Sequence, residues 1–304
     1  MALKAHAGTI GAAPAVSHQN IIEYYRQTWF DYRSLWLNRD NLAYHFGYWD
    51  DRAADHASSL IRSNEILAEI AGIGPSDRVL DAGCGLGGSS FWLARNRAIS
   101  AVGIALGATQ LKAASCLASQ RMLSERVVFV CADFTACPFP PDSFDVIWVQ
   151  ESLCHAPQKS AFYREAARLL RPGGRLIVAE FMRSRRNLDG KSARLLRRWL
   201  DGWAIPDLDS SDEHVRAARE AGFGQILVRN VTDRTRPSLR RLYRWARVVL
   251  PFEYLFYRLG LRTTVQHGNV VGALHQYRAL RRELWQYGIL SARKMERQGM
   301  GAIA

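Results

Sequence analysis

The chain has 304 residues, 48% of them apolar, which is enough to bury a sizeable core in one large domain or one and a half. Its five cysteines, Cys84, Cys116, Cys131, Cys137 and Cys154, are odd in number and show no CxxC spacing, which argues against a zinc centre or a disulfide framework and for a reducing, cytoplasmic setting. The formal charge of +13 gathers in two arginine clusters, residues 183–198 and 234–247, while the lack of a leading apolar segment or of any run of about 18 apolar residues disfavours secretion and membrane spanning.

Residues 1–19 are small and weakly patterned and read as a disordered tail. From Asn20 onward, across residues 20–72, the apolar spacing is helical and predicts an N-terminal cap dense in aromatics, among them Tyr24, Tyr25, Tyr48 and Trp49. Residues 73–232 then alternate strand and helix, the pattern of a parallel sheet buried on both faces. Within this core, Val79 to Ser90 reads as a strand breaking into a glycine turn that opens a helix, and Gly83, Gly85 and Gly88 satisfy GxGxxG, with Gly87 between them. A dinucleotide site would also need an acid at the end of the next strand, and Ser100 to Leu106 has none. Asp81 instead lies two residues before the first glycine, where a carboxylate can meet a ligand's cationic amino group. A third strand, Val127 to Val130, precedes Asp133 and Phe134, and a fourth precedes Glu151 and His155. A helix over Asp212 to Gly222 leads to two last strands, Ile226 to Val231 and Tyr287 to Ala292. Between those strands, residues 233–286 are basic, aromatic and helix-patterned, and they read, together with Arg183 to Asp209, as a lid over the site. Residues 287–304 hold the last strand and a tail.

A carboxylate before the glycine turn suits an amino acid attached to a nucleoside, which describes S-adenosylmethionine (SAM). From Asp81 and its turn onward the chain resembles the class I SAM-dependent methyltransferases. Gly103-Ile104-Ala105-Leu106-Gly107-Ala108-Thr109-Gln110 resembles the GIxLSxxQ segment of the sterol and cyclopropane branch, in which the Gln replaces the usual ribose-binding acid. Cys131-Ala132-Asp133-Phe134 resembles the segment whose Asp meets the adenine amino group, and Leu169 to Val178 resembles the LxPGGxLxx turn into strand five. Tyr44 to Asp50 is similar to the HFGYW of tocopherol, sterol and natural-product methyltransferases, and Tyr24-Tyr25 to the paired tyrosines of the same branch. The resemblance implies an α/β fold: a Rossmann-like seven-stranded class I methyltransferase sheet with a helical N-terminal cap and a helical insertion before the last strand. It also implies SAM as cofactor, held by Asp81, Gly83, Gly85, Gly87, Ile104, Ala105, Gln110, Asp133, Phe134, Glu151 and Tyr25.

Methyl transfer from a sulfonium is an in-line displacement, so a protein mainly holds donor and acceptor in a near-attack geometry and excludes water. Val149 to Pro157 resembles both the EATCHAP of sterol C-methyltransferases and the ESxHHxPD of antibiotic-sugar O-methyltransferases. Glu151 and His155 are therefore the candidate catalytic bases, and Tyr24, Tyr48, Trp49, Glu180 and Trp245 the candidate substrate contacts. The expected acceptor is an apolar, isoprenoid small molecule methylated at an alkene carbon, with O- or N-methylation of a secondary metabolite as the alternative. No residue set has metal-ligand spacing. The basic segments interleave with large apolar residues and form no recognisable nucleic-acid module, so no specific nucleic acid is expected. Those arginines suit a diphosphate head group or the periphery of an anionic membrane.

Overall fold

Residues 79–82, 101–104 and 146–149 are apolar almost throughout and buried along their whole length, so each forms a strand covered on both faces. The structure, a computed structural model, describes residues 16–35 and 41–296. In chain order the core runs β1 (Arg78–Ala82), α3 (Gly88–Arg97), β2 (Ser100–Ala105), α4 (Ala108–Gln120), β3 (Val127–Cys131), β4 (Phe144–Gln150), α5 (Lys159–Leu169), β5 (Leu170–Arg183), α6 (Gly190–Gly202), α7 (Ser211–Glu220), β6 (Phe223–Asn230) and β7 (Trp285–Lys294). Among the described residues two helices precede it, α1 (His18–Leu35) and α2 (His56–Ile70), and two lie between β6 and β7: α8 (Thr232–Arg258) and α9 (Thr264–Leu280). The strands form one seven-stranded sheet in the order β3-β2-β1-β4-β5-β7-β6. β7 alone runs against its neighbours. This is the expected Rossmann-like sheet, with helices before it and inserted ahead of its last strand.

The strand order reverses direction between β1 and β4, which opens a crevice beyond their carboxyl ends. Gly83 follows β1 and Glu151 follows β4, so the topology alone brings the glycine turn and the candidate base to one crevice. α9 packs between α6 and α8, and α1 packs on α9, so the inserted helices and the N-terminal helix close over it.

Two local expectations change. The tail expected over residues 1–19 lies outside the described residues up to residue 15, and α1 already begins at His18 because the hydroxyl of Ser17 accepts the Asn20 N–H at 3.3 Å and caps it. The helical reading of the cap holds for α1 and α2 but not for residues 41–55 ahead of α2. Tyr44 to Asp50 is irregular, because its backbone N–H groups bond to distant partners: Phe46 to Glu151, Gly47 to Ser238, Tyr48 to Ser59 and Trp49 to Arg234. The expected tail after the last strand lies outside the described residues from 297 onward.

Phe181 on β5 is the packing hub beside the crevice. Its ring meets Phe46, Trp199, Trp203, Trp285 and Tyr287 edge-on at centroid distances of 5.5 to 6.3 Å, and it is 3% exposed. Truncating it removes one wall from the cap, α6 and β7 together. Phe181→Ala should lower unfolding free energy by about 3–5 kcal/mol, read as a drop in the denaturant midpoint; a midpoint within error of wild type would show that these rings do not couple the elements.

Candidate active site

The glycine turn is shaped by its backbone. The carbonyl of Ile104 on β2 accepts the N–H of both Gly83 (2.8 Å) and Cys84 (3.0 Å), folding the turn back over the sheet edge. Gly83 has φ +91°, and a Cβ there would overlap the side chain of Ser152, whose hydroxyl donates to the Ala82 carbonyl at 2.5 Å. Gly85 has φ +56°, and a Cβ there would lie 3.1 Å from the ring of Tyr44. Gly87, at φ +81°, caps α3 and lies beneath the turn. Asp81 is 3% exposed and accepts the Ser90 hydroxyl at 2.6 Å; burial pushes its carboxyl up to about 6, against the pull of that hydrogen bond. It lines a small cavity with Gly83, Gly85, Ser89 and Gln150. The Nε2 of Gln150 is buried there with no hydrogen-bond partner among the described residues. A buried acid and an unused amide donor fit the ammonium and carboxylate of an amino acid.

A larger cavity continues from this turn. Tyr25, Gly83, Gly85, Ala105, Gln110, Asp133, Phe134, Glu151 and His155 all line it, so nine of the sequence-derived site residues share one space. α1 forms its roof through His18, Ile21, Ile22 and Tyr25, and His18 reaches Asp133 at 3.1 Å.

A second cavity adjoins the first. Tyr32, Tyr44, Phe46, Trp203, Leu242, Trp245 and Val270 give it apolar and aromatic walls, with Asp31 and Asn269 as polar points. Tyr32, Tyr44 and Glu151 line both spaces, which makes them the partition between the two. Glu151 sits at φ +54°, an uncommon conformation for a residue with a side chain. Its Oε1 accepts the Phe46 N–H at 2.6 Å and the Tyr287 hydroxyl at 2.7 Å. Burial pushes this carboxyl up to about 8, more than those two donors pull it down, and the neighbouring Glu180 adds to the rise.

His155 stands elsewhere. It lines the first cavity only, and the Ala204 carbonyl 3.1 Å from Nδ1 can only accept, so Nδ1 carries the proton and Nε2 accepts the Tyr25 hydroxyl at 3.0 Å. Burial pulls the imidazole down to about 4, which keeps it neutral. Glu180 is fully buried behind it and lines neither cavity. It accepts the N–H of Cys154 and of Phe181, each at 2.8 Å, and so holds the turn that carries His155.

Of the remaining candidate substrate contacts, Trp245 lines the second cavity and is 37% exposed. Tyr24, Tyr48 and Trp49 line neither cavity. The Tyr24 hydroxyl donates to Asn269 at 2.8 Å, and the Trp49 indole N–H donates to Ser238 at 2.9 Å, so both tie the cap to the inserted helices. Ile104 is fully buried and acts through its carbonyl. Sequence reasoning overlooked Tyr32, Tyr44, Trp203, Asn269 and Tyr287. Tyr44 carried a signal as the first residue of the HFGYW-like segment, and Tyr32 as one of the dense aromatics of the cap.

The raised carboxyl of Asp81 sets a pH dependence. A ligand ammonium favours the ionised acid, so below about 6 binding must expel a proton, whereas above it the acid is already charged. SAM affinity should be flat at neutral pH and fall by up to about tenfold per pH unit below that point, with proton release visible when calorimetry is repeated in buffers of different ionisation enthalpy. Unchanged affinity at pH 5 would remove Asp81 from the cofactor site.

Residues 80–178 match the family described as a methyltransferase domain. The chain is 34% identical over 257 residues to 27-O-demethylrifamycin SV methyltransferase of Amycolatopsis mediterranei (strain S699), covering 82% of this chain and 89% of that protein. It is 30% identical over 251 residues to 2-methyl-6-phytyl-1,4-hydroquinone methyltransferase of Synechocystis sp., covering 79% and 73%. The crystal structure of the cyclase SpnF superposes with a TM-score of 0.77 at 27% identity, covering 94% of this chain and 99% of that one. Likeness over most of the chain, added to a turn and a buried acid that fit the cofactor, places the protein among the class I SAM-dependent methyltransferases, related to several small-molecule families without falling into one of them.

Proposed function

We propose that the protein methylates a hydroxyl oxygen of a bulky apolar small molecule, held in the second cavity while SAM occupies the first, with Glu151 as the base. The observation that carries this reading is that one carboxyl, raised to about 8, lines both spaces. SAM supplies an electrophilic methyl group on a positively charged sulfur. Glu151 is suited to take the hydroxyl proton, because a base titrating near the working pH combines availability with driving force. A cation held in the first cavity lowers its pKa again and keeps it ionised when needed. Phe46 and Tyr287 both donate to Oε1, so they hold the carboxyl in place and leave Oε2 for the acceptor. The aromatic walls exclude water. One relative supports the acceptor atom by name alone, since a 27-O-demethyl compound is one that lacks a methyl group on oxygen.

A second reading, methylation of an alkene or ring carbon of an isoprenoid, is favoured by the ring faces of Tyr32, Tyr44, Phe46, Trp203 and Trp245. Such faces stabilise a transient carbocation, and Glu151 would then remove a proton after transfer. The second cavity is poorly suited to a diphosphate. Its polar points are acidic or neutral, and Arg262 nearby is engaged by Asp31 at 2.9 and 2.8 Å.

Glu151→Gln is the decisive variant, because its amide oxygen can still accept from Phe46 and Tyr287 while the base is lost. With methyl-labelled SAM and prenylated hydroquinone or macrocyclic alcohol acceptors, turnover should fall by about 10²–10⁴-fold with SAM affinity preserved. Wild-type turnover should rise with pH through a limb at or below about 8, since the carboxyl must lose its proton to act, and the variant should lack that limb. Turnover within threefold of wild type would remove Glu151 as base, and a product with a new carbon–methyl bond would put the second reading in its place.

A further inference from the structure

The outer face of α8 serves neither cavity beyond Trp245. At helical spacing, Trp245, Val248, Phe252, Leu255, Phe256 and Leu259 form one stripe along it. Val248, Phe252, Leu255 and Leu259 are 69%, 66%, 53% and 63% exposed, and Leu261 just beyond the helix is 69% exposed. A continuous apolar stripe of that exposure is unusual for a surface that meets only water. The opposite face is already used: Leu239 and Ala246 are buried, and Glu253 turns inward to His267 at 2.6 Å.

The charge on this helix is one-sided. Arg234, Arg240, Arg244, Arg247 and Arg258 are exposed, and the two acids of α8 are engaged locally, Asp233 by Arg236 at 2.8 Å and Glu253 by His267. Arg244 and Arg247 meet no carboxylate within 4 Å among the described residues; Arg247 lies over the Tyr243 ring instead. Arg236, Arg240 and Arg244 line an open groove with Asp233, Trp245 and Val248, and Trp245 also lines the second cavity.

We infer that α8 is a membrane-docking helix whose stripe enters the interfacial layer of an anionic phospholipid bilayer while its arginines engage the head groups. Charge complementarity selects this occupant. Two copies of the chain meeting through α8 would oppose arginine to arginine, whereas an anionic lipid surface satisfies both the cations and the apolar stripe. Docked in this way, α8 sets Trp245 between lipid and the second cavity, so an apolar acceptor reaches the site without crossing water. The surface stands independently of the acceptor chemistry, and its test needs no turnover.

The full-length protein is floated with vesicles of phosphatidylcholine alone or mixed with phosphatidylglycerol, at low and high salt. It should float with the mixed vesicles at low salt and be released by salt, as screened charge requires. Two variants separate the contributions, F252S/L255S/L259S for the stripe and R244E/R247E for the charge; none of these residues lines either cavity. Each should weaken flotation by about tenfold or more while SAM affinity, measured in the same preparation, stays at the wild-type value. Failure of wild type to float with mixed vesicles overturns the inference, as does equal flotation with neutral vesicles or undiminished flotation of both variants. Self-association of wild type that the stripe variant abolishes, with no vesicle binding, would assign the face to a second copy of the chain.

Discussion

A buried carboxyl at the junction of two cavities is the constraint around which the rest of the site is arranged. Glu151 stands in a backbone conformation that costs of order 1–3 kcal/mol, and its side chain is held away from water where the charged form is disfavoured. Such a group persists only where its surroundings over-determine it. Its two donors come from opposite ends of the chain, the Phe46 N–H before the sheet and the Tyr287 hydroxyl on the last strand. Both residues also pack on Phe181. The cap, β4, β5 and β7 are thereby locked to one another at the point where the two cavities meet.

α1 extends that constraint across both spaces. Its first turns cover the first cavity, while Asp31 and Tyr32 near its other end line the second. Asp31 forms a two-pronged ion pair with Arg262 and accepts from Asn269 at 3.2 Å, and the side chains of Asp31 and Arg262 are only 10% and 16% exposed. A largely buried pair of this kind contributes little net attraction, because desolvation offsets it, yet losing either partner leaves an uncompensated charge. Its value lies in register: it fixes where α1 rests on α9 and hence how the roof spans the partition.

The two arginine clusters look alike in composition and differ in the fold. In the first, Arg183 and Arg186 pair with Asp207, Arg186 also reaches Asp209 and Glu213, and Arg197 pairs with Asp201. Those charges brace the segment that carries Trp203 and Ala204 and so serve the walls of the site. In the second cluster Arg236 pairs with Asp233, while Arg244 and Arg247 on the outer face of α8 meet no carboxylate within 4 Å among the described residues. Charge counted along the chain cannot separate a brace from a binding surface; the positions of the carboxylates do.

The lining of the first cavity was legible in the sequence because its geometry is local. Asp81, Gly83 and Gly85 lie within five residues of one another, at the end of one strand, while Ala105 ends β2, Gln110 lies in the first turn of α4 and Asp133 follows β3, and the parallel register sets these strand ends at the same edge. A strand–turn–helix unit dictates where such residues point wherever it is folded. The second cavity and its partition had no such code. Tyr32, Tyr44, Trp203, Asn269 and Tyr287 come from five separate parts of the chain, and each alone reads as an ordinary packing aromatic or surface amide. The HFGYW-like segment shows the limit most plainly. Its side chains Tyr48 and Trp49 suggested ligand contacts, yet its contribution to the site is the ring of Tyr44, the ring of Phe46 and above all the Phe46 backbone N–H on Glu151. A main-chain donor is the same in every residue but proline, so only the tertiary structure could decide which carboxyl it would hold.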